Sequence, residues 1–183
     1  MAVGRPGECA RPAWINNGTV IPNTSPGVTN PMTDLLVSAT ALAAALALVS
    51  LGGALYEFSV VDPVWPRRPD IIQPSRGGIS RRCFWIPAHV AFEILLIALL
   101  IAGWSHWAVR FWLLIALASH AAMRIWSAFD FIPKTLAFER ADPSAITETL
   151  ARAWTRRSLL RLPLDLLTCS AMLAAFAAAC RLD

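Results

Sequence analysis

Four stretches of this 183-residue chain stay apolar for twenty residues or more, and nothing else in the sequence limits the fold as strongly. A hydrocarbon core takes about 20 helical residues to cross, and a helix satisfies every backbone N–H and C=O within its own segment, as a lipid environment demands. The stretches run over 35–58, 84–104, 111–132 and 159–180. Charged residues form 15% of the chain, against roughly a quarter in a soluble domain. The apolar residues come in blocks and not in repeats or scatter, which excludes soluble, collagen-like, coiled-coil and disordered classes. The sequence therefore predicts an all-α integral membrane protein: a four-helix up-down transmembrane bundle with a Pro-rich first loop and a short amphipathic helix before the fourth span.

Residues 1–32 read as a separate polar leader, rich in Pro, Gly and Asn, and expected to be disordered. Met32, directly before the first span, is a candidate natural start. Residues 33–183 form the four-helix domain, with Thr33 and Asp34 as N-cap residues of the first span and with small residues Ala41, Ala45, Gly52 and Gly53 offering a close helix approach. Only a few residues link spans two and three, so these form an antiparallel hairpin, with Trp104, Trp107 and Trp112 at the water boundary. Loop 59–82 cannot be a regular helix. In loop 134–158, Asp142-Pro143-Ser144 starts the amphipathic helix, which runs through Arg157 and lies along the membrane surface.

Eleven of the sixteen Lys and Arg residues fall in loop 59–82, loop 134–158 and the start of span four. The positive-inside rule places both loops in the cytoplasm and both termini outside, in a bacterial inner membrane. The net charge of +4 thus belongs to span flanks and not to a nucleic-acid surface. Cys9, Cys83, Cys169 and Cys180 lack any ligand-like spacing, and no disulfide framework is expected.

Ionisable side chains within a span are costly and ordinarily face the interior and pair. His89 and Glu93 on span two, His120 and Arg124 on span three, and Arg161 and Asp165 on span four each stand four residues apart, so each of three helices carries one polar stripe. At 1.5 Å per residue these groups gather in the cytoplasmic half, with His120 nearer the midplane. Tyr56, Glu57, Trp126 and Asp130, at the same end of spans one and three, complete the set as substrate contacts. Segments 94–102 and 171–179 are purely apolar. These placements predict a polar cavity open to the cytoplasm above an apolar floor. Each group also has a plain structural reading: Arg161 with Asp165 as an intrahelical ion pair, Glu57 and Asp130 as wet span ends, a histidine as a bundle hydrogen bond.

Histidine beside a carboxylate can act as a base, and a neighbouring Arg can stabilise an enolate or phenolate. Proton abstraction next to a carbonyl, or from a phenol, suits this set. No cofactor is expected. His89, Glu93 and His120 contain the ligand types of a non-haem iron triad, but Arg124, one turn from His120, disfavours a cation there.

The stretches "LYEFSVVDPVWP", "FWIPAHV", "RIWSAFDFIPKTLAFE" and "AWTRRSLLR", in that order, resemble a family of small four-helix bacterial membrane proteins that includes or neighbours the anthrone-oxygenase-like proteins. The resemblance covers residues 33–183 and includes a Trp-x-x-Arg-x-x-x-Arg pattern at Trp154, Arg157 and Arg161. It implies cofactor-independent oxidation of anthrones to quinones, with Arg124 and Arg161 as the corresponding positions and His89 or His120 as base. Phe138-Glu139 stands where the fungal enzymes carry a Thr-Asn pair. The leading expectation is a membrane-embedded enzyme that oxidises or isomerises a lipophilic aromatic molecule. The alternative is a non-catalytic subunit holding a lipid, a quinone or a protein partner, as a homodimer or in a larger membrane complex.

Overall fold

The structure, a computed structural model, describes residues 31–182. The leader, its proposed disorder and Cys9 lie outside the described residues up to residue 30. Among the described residues the chain is helical apart from its connecting turns, with no strand. Helix α1 spans Pro31–Tyr56 and continues through a π-helical turn, Glu57–Val61. Helix α2 spans Arg82–Ala102, and α3 spans Trp107–Trp126. A second π-helical turn, Ser127–Phe131, carries α3 into α4, Ile132–Arg140. Helix α5, Glu148–Ser158, passes through a 3-10 turn, Leu159–Arg161, into α6, Leu162–Ala179. Four helical runs, Pro31–Val61, Arg82–Ala102, Trp107–Arg140 and Glu148–Ala179, are long and apolar enough to cross a membrane.

Two local expectations are corrected. Thr33 and Asp34 lie in the first turn of α1 and not at its cap, because the helix already begins at Pro31. Asp142 caps only a 3-10 turn, Pro143–Ala145, and Thr147 caps α5 by accepting from Leu150 N–H at 3.3 Å. No loop separates α5 from α6. The short amphipathic helix expected before the fourth span is α5, which ends at Ser158 and is joined to α6 by a 3-10 turn; Pro163 falls in the first turn of α6, where a missing N–H costs little.

Helix α6 packs against both α3 and α1, while α2 rests chiefly on α1 and meets α3 more lightly. The shared core contains Ala43, Ala44 and Ala47 of α1, Phe92, Leu96 and Leu99 of α2, Leu113 and Ala116 of α3, and Met172 and Ala175 of α6. The small residues that allow close approach are therefore Ala43, Ala44 and Ala47; Ala45 and Gly52 are exposed, a register one step away from the expected stripe. Gly53 has its own reason: a Cβ there would stand 2.4 Å from the Phe84 ring.

Loop 59–82 forms no regular helix, as its prolines dictate, yet it is packed. It folds into three 3-10 turns, and its Trp65 and Ile72 join Phe131, Phe138, Ile146 and Trp154 in a second, aromatic core. Buried Gln73 anchors it by donating from Nε2 to the carbonyls of Phe138 and Ala141, both at 2.8 Å. The region between the two cores is where the polar residues meet.

Candidate functional site

On α2, Arg81 at its N-cap is followed at four-residue steps by Trp85, His89 and Glu93. These steps align the four side chains along one face. On α3, His120 and Arg124 form the facing stripe. Glu93 joins the two helices: its Oε1 accepts from Arg124 Nε at 2.8 Å and lies 3.2 Å from His120 Nε2. The His89 ring stacks on Trp85 with centroids 5.3 Å apart and sits 5.5 Å from the His120 ring. His89 Nδ1 is shut off from solvent and has no hydrogen-bond partner.

A cavity of about 330 Å³ opens beside these residues. His89, Arg124, Arg161, Asp165 and Glu57 line it, so five of the ten expected site residues converge there. Glu93 and His120 do not line it; Glu93 reaches it through its bond to Arg124, which does. His89, His120 and Asp165 also border a second void of about 10 Å³, deeper in the helix core, which has room for about one water molecule.

The remaining three residues are elsewhere. Tyr56 is 60% exposed and points away. Trp126 packs on Phe131 with centroids 5.5 Å apart. Asp130 is engaged by Lys134 and Arg157 in an outer ion-pair cluster. Arg161 and Asp165 do not form the intrahelical ion pair that their spacing allows. Instead Arg161 Nη1 donates to Ser127 Oγ at 3.1 Å, and its guanidinium lies 4.4 Å from the centre of the Phe131 ring.

Sequence reasoning missed Arg81, Arg82, Trp85, Glu139 and Trp154, all of which line the cavity. The four-residue series from His89 back through Trp85 to Arg81 carried the signal for two of them. Nothing in the spacing pointed to Glu139, whose Oε2 accepts from Arg82 Nη2 at 2.6 Å across the gap between α2 and α4. Glu57 is held from both sides, accepting from Arg81 Nη1 at 2.7 Å and from Trp85 Nε1 at 3.0 Å.

Just past the π-turn of α1, Asp62 is buried and accepts from Trp65 Nε1 at 3.0 Å. Burial, reinforced by the nearby Glu57 carboxylate, pushes its pKa up to about 7, against the opposing pull of Arg81. At the surface, Asp142 is held below the usual carboxylate range by the Ser144 hydroxyl and N–H.

The arrangement brings a histidine, four guanidinium groups and aromatic walls to one cavity. It can hold a flat apolar body and stabilise negative charge developing on it. Among the described residues no three His, Cys, Asp or Glu side chains are grouped so as to hold a metal ion. No protein-family model matches the chain, and no curated protein or solved structure matches it either.

Proposed function

We propose that this chain is a multi-pass membrane protein, an up-down four-helix bundle, with loops 59–82 and 134–158 in the cytoplasm of a bacterial cell and both termini outside. The four apolar helices support the spans. The Lys/Arg excess in the two loops supports the orientation. Trp104 and Trp107, both exposed at the α2–α3 turn, suit the opposite water boundary.

Within that bundle the cavity is the site of a base-assisted reaction on a lipophilic aromatic molecule. The observation that carries this reading is His89: it is the one histidine lining the large cavity, and Arg124 lines the same wall. His89 takes the proton from an acidic C–H or phenolic O–H. Arg124, held in place by Glu93, stabilises the resulting anion. His120, bound to the same Glu93 oxygen, positions the pair. Reprotonation elsewhere on the ring gives an isomerisation. With dioxygen as oxidant, an anthrone methylene gives up two hydrogens and gains one oxygen as the quinone carbonyl, and the second oxygen leaves as water. This is the reaction that the family resemblance implies.

The test uses 1,8-dihydroxyanthrone with purified protein in detergent, followed by absorbance. Loss of a general base typically costs about 10²–10⁴-fold, so His89→Ala should lower turnover by at least about 10²-fold with an unchanged circular dichroism spectrum. A folded His89→Ala protein that retains full turnover would overturn the assignment. Absence of turnover in the wild type, with the compound bound stoichiometrically, would move the protein to the non-catalytic binding class.

A further inference from the structure

The cavity has a second end. Arg81 and His89 are eight residues apart on one helical face, about 12 Å of rise, and the groups around Arg81 differ from those around His89. Arg81 lies with its guanidinium 5.4 Å from the Trp154 ring centre, and Arg161 stands over the neighbouring Phe131 ring. The two rings are themselves in contact, with centroids 6.1 Å apart. Arg81 is buried, and although its Nη1 holds Glu57, its Nε and Nη2 have no partner. Trp154 is buried too, with Nε1 unpartnered. Buried donors without acceptors are costly. Among the residues that line this end, three such donor atoms stand against one orphaned acceptor, Glu139 Oε1, all four closed to solvent, so contact with a ligand falls to Arg161.

The arginines agree with this count. Of the four that line the cavity, Arg81, Arg82 and Arg124 each bridge a carboxylate, whereas Arg161 has no carboxylate within 4.0 Å. The rim has the opposite character. Ile86 and Val90 of α2 and Ile132 of α4 line the cavity while remaining well exposed, at 58%, 45% and 42%. The Arg82–Glu139 bridge spans α2 and α4 at the end nearer the loops. Exposed isoleucine and valine at the entrance suit contact with acyl chains.

We propose that the Arg81–Arg161–Trp154 end is a subsite for the oxyanion head of an amphiphile that enters sideways from the lipid, between α2 and α4. This deepens the function proposed above and rests on its membrane placement. The ligand is an apolar body with a carboxylate or phosphate head, seated so that its head meets Arg161 while the body extends toward His89.

The probe is 9,10-dibromostearate, which quenches tryptophan fluorescence at short range, compared with its methyl ester in protein held in dodecyl maltoside. The acid should quench saturably at a concentration at least tenfold below the ester. Arg161→Gln should shrink that ratio to twofold or less, and Arg161→Lys should retain part of it. Gly52→Ala, outside the cavity and with nothing within 4 Å of the added methyl, should leave the ratio unchanged; anthrone turnover tests the catalytic reading, and the acid-to-ester ratio tests this one. Equal quenching by acid and ester in the wild type would overturn the subsite. Displacement of the acid by millimolar inorganic phosphate would overturn the amphiphile, because a free anion would then suffice.

Discussion

Asp62 departs furthest from ordinary carboxylate behaviour outside the long helices. The folded protein keeps a proton on it up to about pH 7, whereas an unfolded chain releases that proton near 3.8. Between those values the folded state binds more protons, so stability is highest at the acid end and falls as the pH rises through that window. Asp62→Asn keeps an acceptor for Trp65 Nε1 and removes the titration. Thermal unfolding at pH 5 and pH 8 should show a wild-type midpoint that drops and a variant midpoint that stays nearly level; equal slopes would remove Asp62 as the cause. Gln73 is the residue that ties loop 59–82 to α4. Gln73→Leu strands the carbonyls of Phe138 and Ala141, at about 1–3 kcal/mol for each unsatisfied group. A loss of about 2–6 kcal/mol in denaturant unfolding is expected.

At the scale of elements, loop 59–82 depends on one close approach. A Cβ on Gly78 would lie 2.3 Å from the Asp70 carbonyl oxygen and 2.6 Å from that of Ile71, both of them backbone atoms that cannot swing aside. Gly78→Ala should therefore loosen the loop, read as faster cleavage between residues 65 and 82 in limited proteolysis. Gly52→Ala, with nothing within 4 Å of the added methyl, is the matched control and should cleave at the wild-type rate. The helices themselves were legible from apolar run length, and their limits fall within a few residues of those expected. Their continuations were not: the π-turns after α1 and α3, and the passage from α5 into α6, leave no mark on apolar run length. The site was half legible for a similar reason. Four-residue spacing put His89, Glu93, His120 and Arg124 on facing stripes, but spacing along one helix says nothing about Glu139, which is brought to Arg82 from a different segment.

For the whole molecule the decisive quantity is orientation. In a Cys9→Ser, Cys83→Ser background, exposed Cys180 and a cysteine from Ser75→Cys lie at opposite ends of the proposed bundle. A membrane-impermeant maleimide applied to intact spheroplasts should label the first, and reach the second only after lysis; the reverse pattern would invert the topology. By itself the sequence determined that the chain makes four long apolar helices and that several of them carry ionisable stripes, because both are periodic properties of contiguous segments. Only the tertiary structure decided which charges meet. Arg161 stands over Phe131 and not on Asp165, Asp130 is spent on an outer cluster, and loop 59–82 becomes one wall of an aromatic core, since each outcome depends on distances between segments that have no local signature.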